Sequence, residues 1–278
     1  MGDHYVPQYY LKGFSIDDSI WVYDKEKGRS FNSQPKSVAN ERHMYSGKVE
    51  SYLANSIEDP AKAAIEAIRT QRDLTPDLRH ALAKYILMLW KRVPQARKRV
   101  ATMMPTVVSA LEADIVEKID HLSTADPTVK GMAERRKAEV RRIFQRYSSD
   151  PPPAIWQRSL LYEGRQDAVN ALESMNWTFL HSSELQFITC DNPVFFFAHE
   201  GLRSEQSELT IPLSSNIALW ANRRYSSQLN HAQATKQIVK EINRRSAHNA
   251  SRFIFAKEDE SWILPFSLRG SYSLNRIK

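Results

Sequence analysis

The segment HYVPQYYLKGF, residues 4–14, stands almost at the start of the chain. Terminal segments are usually frayed and polar unless tertiary contacts hold them in place. This one carries three tyrosines, a valine, a leucine and a phenylalanine, which is too much apolar surface to leave in water. We therefore expect residues 4–14 to be ordered and partly buried against the C-terminal sheet, with His4 and Gln8 buried beside them.

Working outward from that segment, the next pattern is a hairpin. In IWVYDKEKGRSF (20–31), two aromatic-rich runs flank a charged turn with Gly28 at the bend. Apolar residues then recur with a period near 3.6 over 49–68, which predicts a helix that Pro60 kinks or divides, with Asp59 as the N-cap of a second helix. Thr75-Pro76 starts a long helix that Pro94 and Pro105 should kink without ending.

The second half of the chain changes from helical to β-rich texture. A basic amphipathic helix is predicted over about 129–147 and a further helix over 155–175. Short β-rich runs follow, and one helix, from His231 to about His248, precedes the last of them; the runs are WTFLHS, LQFITC, ELTIPL, NIALWAN and RFIFAK. The pattern predicts an α+β fold with an N-terminal hairpin, a long helical middle and a mainly antiparallel C-terminal sheet with an inserted helix.

Composition sets the class of protein and its expected compartment. The chain has 278 residues, 42% hydrophobic and 26% charged, as in an ordinary globular protein. We expect a single integrated domain over 1–278, with a helical part at about 49–175 and a sheet part at about 176–278. No apolar run is long enough to span a bilayer, and no secretory signal is evident. The lone Cys190 excludes an internal disulfide, so we expect a cytoplasmic protein without membrane association.

Basic residues are concentrated in three stretches of a chain whose net charge is +7. The stretches are 91–100, 134–147 and 222–245. Solvated helix faces would explain them, and so would a surface for nucleic acid or another polyanion. In the second case, the candidate contact residues are Arg92, Arg97, Arg135, Arg142 and Arg146.

Most standard catalytic motifs are missing from the sequence. It has no Walker A loop, dinucleotide glycine fingerprint, CxxC pair, HExxH motif or nucleophile elbow. What remains is FITCDNPVFFF (187–197), where Asp191-Asn192-Pro193 joins a strand to an apolar run. These residues favour an Asx-turn at a strand end, and equally they could present polar groups to a ligand at the mouth of the sheet.

Seven blocks in order resemble the domain of unknown function 4238 family. They are HYVPQYYLKGFS, IWVYDK, ERHMYS, VESYLANSIED, FITCDNPV, IPLSSNIALW and INRRSAHNASRFIFA, and they extend from about His4 to about Ala256. The resemblance implies one integrated domain and a set of candidate site residues, but no reaction. Carried over position by position, the candidate catalytic residues are His4, Gln8, Glu58, Asp191, Asn192 and Asn243.

Three of these residues, His4, Glu58 and Asp191, can act as metal ligands. One imidazole with two carboxylates suits Mg²⁺ or Mn²⁺ of the kind that assists phosphoryl chemistry. The alternative is a buried His4 that bonds Asp191 only to satisfy both groups. In either case we expect five of the candidates to meet in one cleft between the helical middle and the C-terminal sheet, namely His4, Gln8, Glu58, Asp191 and Asn192.

Three functional hypotheses follow from the sequence. The first is a cytoplasmic nucleic-acid-processing or nucleic-acid-binding protein, such as a metal-dependent nuclease acting as a defence or toxin-like effector. The second is a non-enzymatic binding module whose polar cluster is structural. The third is an enzyme that acts on a small phosphate-bearing ligand. Convergence of His4, Glu58 and Asp191 at one place is the observation on which the enzymatic hypotheses depend.

Overall fold

A computed structural model of the chain describes residues 2–161, 166–197, 200–225, 230–269 and 272–277. The chain divides into two compact units. The first comprises Met1–Val93 and Leu160–Lys278, and the second comprises Pro94–Ser159. Every strand of the described residues lies in the first unit, and the described second unit is helical, so the α+β class is confirmed. The expectation of one integrated domain stays a prediction.

The helices follow the predicted helical middle and the inserted C-terminal helix. The described α-helices are α1 (Gln8–Lys12), α2 (Gly47–Tyr52), α3 (Asp59–Arg69), α4 (Pro76–Arg92), α5 (Pro94–Ala125), α6 (Lys130–Ser149), α7 (Pro153–Leu161), α8 (Gln166–Glu173), α9 (Lys236–Asn249) and α10 (Ile263–Ser267). A π-helical turn (Leu53–Glu58) joins α2 to α3, and 3₁₀ turns occupy Pro35–Ser37 and Pro127–Val129.

The strands form three sheets within the described residues. They are β1 (Asp3–His4), β2 (Ile20–Asp24), β3 (Arg29–Ser33), β4 (Asn40–Glu41), β5 (Asn176–His181), β6 (Thr189–Cys190), β7 (Phe195–Phe196), β8 (Glu208–Ser214), β9 (Ile217–Asn222), β10 (His231–Gln233) and β11 (Phe253–Ala256). One sheet has the order β10-β5-β9-β8-β7, the second has the order β3-β2-β11-β6, and β1 pairs with β4. The β10–β5 pair is parallel and the other pairs are antiparallel.

The predicted N-terminal hairpin is present, and it extends a C-terminal sheet. Strands β2 and β3 pair from Ile20↔Ser33 to Asp24↔Arg29, and Gly28 in the turn has a φ of +61°. Only glycine adopts that left-handed conformation without a steric penalty. The other edge of β2 pairs with β11, so strands distant in sequence complete one sheet.

The N-terminal segment is buried against both large sheets, as predicted. The Tyr10 hydroxyl donates to the Pro212 carbonyl at 2.6 Å and lies 2.7 Å from Thr189 Oγ1, so it contacts β8 and β6 together. The amide of Ser215 donates to the carbonyl of Gly13 at 2.9 Å. Three apolar side chains of the segment are fully buried, Val6, Leu11 and Phe14. Burial of that apolar surface fixes the segment on the sheets.

Pro60 lies inside a helix that continues through it. A proline has no amide hydrogen, and its ring clashes with the carbonyl four residues earlier in a regular α-helix. The wider π-helical turn (Leu53–Glu58) lies immediately before Pro60 and carries the chain into α3 without a break. Asp59 has helical angles, φ −61° and ψ −46°, so its prediction as an N-cap is wrong.

Three other helix boundaries differ from the predicted ones. Val93 is extended (φ −76°, ψ 155°), so helix α4 ends before Pro94, where only a kink was expected. Proline disfavours helical angles in the residue before it, which explains the break. The helix predicted over 155–175 is present as α7 and α8, and residues 162–165 lie outside the described part. His231 begins the strand β10, and α9 starts only after the Thr235 cap.

Helix α9 packs on both large sheets. Near its start, Val239 and Ile242 pack with Leu180 and Phe187. Near its end, Ala247 packs with a second buried cluster that includes Tyr23, Ile188 and Ile254. The helix that the sequence places before the last strand is therefore the central element of the C-terminal half.

Candidate functional site

The N-terminal candidates are grouped around a buried arginine. Arg92, at the end of α4, is 1% exposed. Its Nη1 donates to Glu58 Oε1 at 2.6 Å, and its Nη2 donates to the backbone carbonyl of His4 at 2.5 Å. The Tyr45 hydroxyl donates to the Arg92 carbonyl at 2.6 Å. Arg92 was expected on a nucleic-acid-binding surface, and that expectation is wrong because its guanidinium is buried and paired.

Both ring nitrogens of His4 are engaged by protein groups. Nε2 lies 3.1 Å from the carbonyl of Lys36, and this carbonyl can only accept a hydrogen bond. Nε2 therefore carries the hydrogen, and Nδ1 accepts from the Gln8 amide at 3.5 Å. Burial lowers the pKa of His4, which favours the neutral ring. The side chains of His4 and Gln8 are therefore in contact, and the geometry is that of a structural histidine.

Three buried polar atoms near Arg92 have no hydrogen-bond partner within the described part of the chain. They are Glu50 Oε2, the Tyr85 hydroxyl and Arg92 Nε. Burial raises the pKa of the Glu50 carboxyl, although the charge of Arg92 opposes the shift. The ionised form of Glu50 is therefore unfavourable in the folded protein, because a partly buried carboxylate costs free energy unless it is paired.

Asp191 is bonded to backbone amides. Its Oδ1 accepts from the amide of Ser251 at 2.8 Å, and its Oδ2 accepts from the amides of Arg252 at 2.8 Å and Phe253 at 3.0 Å. These three amides lie where the chain leaves α9 and enters β11. Burial raises the pKa of Asp191, and the backbone hydrogen bonds oppose that rise. The carboxylate thus fixes a chain turn and has little capacity left for a ligand.

Asn192 and Asn249 form a reciprocal clamp beside that turn. Asn192 Nδ2 donates to the Asn249 carbonyl at 3.2 Å. Asn249 Nδ2 donates to the carbonyls of Asn192 at 2.5 Å and Val194 at 2.9 Å. These contacts are long-range hydrogen bonds that hold the segment after β6 to the end of α9, and none of the described hydrogen bonds is the local side-chain-to-backbone bond of the predicted Asx-turn.

Asn243 holds α9 to the segment before β6. Its Oδ1 accepts from the Ile188 amide at 3.0 Å, and its Nδ2 donates to the Gln186 carbonyl at 2.9 Å. The Asn243 side chain therefore supplies the two hydrogen bonds that a neighbouring strand would otherwise make to these backbone groups. It also lines a cavity of about 380 Å³ with Trp262 and Phe266.

The predicted meeting of five residues in one cleft is not what the contacts show. His4, Gln8 and Glu58 are linked through Arg92, whereas Asp191 and Asn192 bond the end of α9, and none of the described hydrogen bonds joins the two sets. Over the described ranges, no group of three or more His, Cys, Asp or Glu side chains is placed to hold a metal ion. His4, Glu58 and Asp191 therefore do not fit Mg²⁺ or Mn²⁺.

The sequence analysis missed a second buried arginine. Arg245 on α9 is fully buried, and its Nη2 donates to Glu208 Oε1 at 2.6 Å. The same guanidinium lies 3.4 Å from Glu241 Oε1, and these two carboxylates also accept the amides of Ile277 and Asn275. The network fixes the segment 275–277 to the body. Arg245 lies in the basic stretch 222–245, whose composition predicted an exposed surface.

The candidate basic residues of the second unit are exposed. Arg97 lies on α5, and Arg135, Arg142 and Arg146 lie on α6. The three α6 arginines are seven and four residues apart, so they fall within about 40° of one another around the helix. Neighbouring acids are occupied elsewhere: Glu139 pairs with Arg136, and Glu134 pairs with Lys137. We call Arg135, Arg142 and Arg146 the α6 arginine row.

The sequence analysis also missed a cavity of about 440 Å³ in the first unit. Its walls come from the π-helical turn, α4, α8 and the β7–β8 pair, and Lys84 and Trp90 are among its lining residues. The sequence signal was the face of α4 that repeats Lys84, Leu87 and Lys91 at helical spacing, which resembles any amphipathic helix.

Comparisons with known proteins identify the family and no reaction. No helix within the described residues is long and apolar enough to cross a membrane. Neither the curated proteins nor the solved structures give a significant match. The model of the family described as "Protein of unknown function (DUF4238)" matches residues 3–260. That match contains all six polar candidates from His4 to Asn243 and nearly all of the chain, so the protein belongs to the DUF4238 family.

Proposed function

We propose that the protein binds nucleic acid through the α6 arginine row. The observation that carries the proposal is the alignment of Arg135, Arg142 and Arg146 on one exposed face, with no acidic partner among the described residues. Arginine side chains that share a face neutralise phosphates along a nucleic-acid backbone and release counterions. Phosphate contacts carry no sequence information, so binding is expected to depend little on base sequence.

A neighbouring aromatic ring favours single-stranded nucleic acid. Tyr147 follows Arg146 directly and is 39% exposed. Exposed aromatic rings next to cationic side chains provide a stacking platform for unpaired bases, at about 1–3 kcal/mol per base. The row extends over about 16 Å at 1.5 Å per residue, enough to follow several nucleotides.

The proposal contains no catalytic step. The enzymatic hypotheses depended on convergence of His4, Glu58 and Asp191, and the hydrogen bonds of these residues assign them to chain positioning. A binding module with a structural polar cluster, the second hypothesis from the sequence, explains both sets of contacts. Its ligand would be the polyanion expected from the basic helices.

Salt-dependent binding tests the proposal. Labelled oligo(dT) and oligo(U) are titrated with the protein at several salt concentrations, and the affinity is measured by fluorescence anisotropy. The variant R135A/R142A/R146A loses three phosphate contacts, so the slope of log K against log salt should fall by about 2, at about 0.7 per contact. The matched control is K12A/K27A/K48A, which removes the same charge from exposed positions of the first unit.

Three results would overturn the proposal. One is the absence of wild-type binding at low salt. Another is an equal loss in the row and control variants, since net charge alone would then explain binding. The third is binding to vesicles of anionic lipid with none to either oligonucleotide. That arm is included because Ile143, 43% exposed, and Tyr147 give α6 exposed apolar surface near the row.

A further inference from the structure

The cavity of about 440 Å³ has a mainly apolar floor. The apolar residues that line it are themselves buried in the fold, namely Ile57, Met88, Val194 and Leu209. Small-molecule sites in proteins commonly have volumes of about 300–1,000 Å³ and walls of this kind. The cavity is therefore large enough and apolar enough to hold the hydrocarbon part of a small ligand.

An aromatic wall borders the cavity on one side. The rings of Trp90 and Phe196 lie with their centroids 5.3 Å apart, and both residues line the space. One ring comes from α4 and the other from β7, so the wall joins two separate elements. The ring planes are inclined by 60°, so the pair forms an angled aromatic corner against which an apolar ligand can pack.

Lys84 places a positive charge at the cavity. It lines the cavity from α4, one turn before Met88, and it is only partly exposed. Lys84 forms no ion pair with any residue that the structure describes, whereas Arg203 at the same cavity is paired with Asp167 at 3.1 Å. A partly buried ammonium beside apolar walls is best stabilised by an anion, and a ligand can provide it.

The π-helical turn forms another part of the wall. Ile57 belongs to it, and Tyr52 precedes it. Single π-helical turns in α-helical surroundings occur often at functional sites. Here the turn is held from behind by the buried Arg92–Glu58 pair, so this wall is preformed.

We propose that this cavity binds a small carboxylate with an apolar body, the body lying on the Trp90–Phe196 wall and the carboxylate at Lys84. The proposal lies in the first unit and is independent of nucleic-acid binding by the α6 arginine row. It assigns a ligand class to a site that no family description covers. A phosphate monoester carries close to two negative charges at neutral pH, whereas one lysine matches a single negative charge better.

The test compares a charged probe with a neutral probe of the same body. Decanoate and 1-decanol are titrated into the wild-type protein, into K84M and into the control K48M, by isothermal titration calorimetry. Wild type should bind decanoate saturably, and decanol about tenfold more weakly, because a charge-assisted hydrogen bond is missing. K84M should lose about tenfold for decanoate and nothing for decanol, whereas K48M should match wild type for both. Burial of the hydrocarbon chain of the probe should also make the heat-capacity change of binding negative.

A second variant separates the body site from the charge site. L87D places a carboxylate inside the apolar lining and should abolish binding of both probes, with circular dichroism confirming the native fold. The proposal is overturned if wild type binds neither probe, if K84M weakens both probes equally, or if a folded L87D still binds decanoate as wild type does.

Discussion

At the scale of single residues, the Asp191-Asn192-Pro193 sequence shows what a motif can and cannot tell. Its residue types predict a turn at a strand end, and the chain bends there, directly after β6. They do not predict which backbone groups the carboxylate will accept, because Ser251 to Phe253 lie about sixty residues away in sequence. That pairing depends on where α9 ends, which is a tertiary property.

The first prediction is that Asp191→Asn destabilises the fold. An asparagine at this site keeps one acceptor oxygen but turns an NH₂ group toward amides that also donate, so one or two of the three hydrogen bonds are lost. We expect a loss of about 1–3 kcal/mol in the free energy of unfolding. Differential scanning calorimetry measures it against the exposed control Glu205→Gln. Equal melting temperatures for the two variants would contradict the structural assignment.

The second prediction concerns pH and Glu50. Burial raises the pKa of this carboxyl above its ordinary value of 4.5, so the folded state binds the proton more tightly than the unfolded state. The resulting contribution is present below about pH 4.5 and is lost as the pH rises through the raised pKa. Glu50→Gln removes the penalty of the ionised form, so it should raise the melting temperature at neutral pH.

The control for this prediction is the acid side of the same experiment. The gain from Glu50→Gln should shrink toward about pH 4, where the wild-type carboxyl is protonated as well. Thermal unfolding of wild type and variant is followed across that range, with Glu205→Gln run in parallel. A gain that is constant with pH, or a loss at neutral pH, would mean that the attraction of Arg92 outweighs burial.

At the scale of elements, periodicity predicted most helices, and the restriction that proline places on the preceding residue explains the break before Pro94. The apolar period of 3.6 located α3, α4 and α6, and the Thr75-Pro76 sequence located the start of α4. Two prolines gave opposite outcomes. A π-helical turn precedes Pro60 and the helix continues, whereas helix α4 ends before Pro94. The rule for the residue before a proline does not decide between these outcomes, because Asp59 keeps helical angles and Val93 does not.

The third prediction tests how closely α1 lies against β8. A Cβ added to Gly13 would lie 2.8 Å from the backbone oxygen of Leu213, and backbone cannot move aside cheaply. Gly13→Ala should therefore destabilise the protein by about 1–3 kcal/mol and raise hydrogen exchange over residues 4–14. The matched control is Gly47→Ala, whose added Cβ meets nothing within 4 Å and which begins α2.

The expected contrast is a loss at one glycine and none at the other. Gly47→Ala should be neutral or slightly stabilising, since it reduces the freedom of the unfolded chain without a clash. Calorimetry gives the stabilities, and hydrogen exchange measured by mass spectrometry locates the change. If Gly13→Ala is as stable as Gly47→Ala, then the N-terminal segment is packed more loosely than the Gly13–Leu213 approach indicates.

At the scale of the whole molecule, buried polar residues connect distant parts of the chain. Arg92 joins His4 to the π-helical turn, and Asp191 joins β6 to the start of β11. Asn243 joins α9 to the segment before β6. The sequence could supply Asp191 and Asn243 as candidates, because polar groups in apolar surroundings need partners, but it placed Arg92 on an exposed surface. It could not supply their grouping, because that depends on two sheets built from strands far apart in sequence.

The last prediction is that stability and nucleic-acid binding depend on different residues, so that one variant loses only stability and another loses only binding. His4→Ala removes both ring hydrogen bonds and leaves the Lys36 carbonyl and the Gln8 amide without that partner, so it should lower the free energy of unfolding by about 1–3 kcal/mol. The variant R135A/R142A/R146A removes exposed side chains, and such changes usually stay within about 0.5 kcal/mol. If the proposed function is correct, His4→Ala below its melting temperature should bind oligo(dT) with wild-type affinity and salt slope, whereas the row variant should melt like wild type and bind weakly. Loss of binding by a folded His4→Ala protein would place the N-terminal cluster in the binding machinery, and the assignment of His4 as a structural residue would fail.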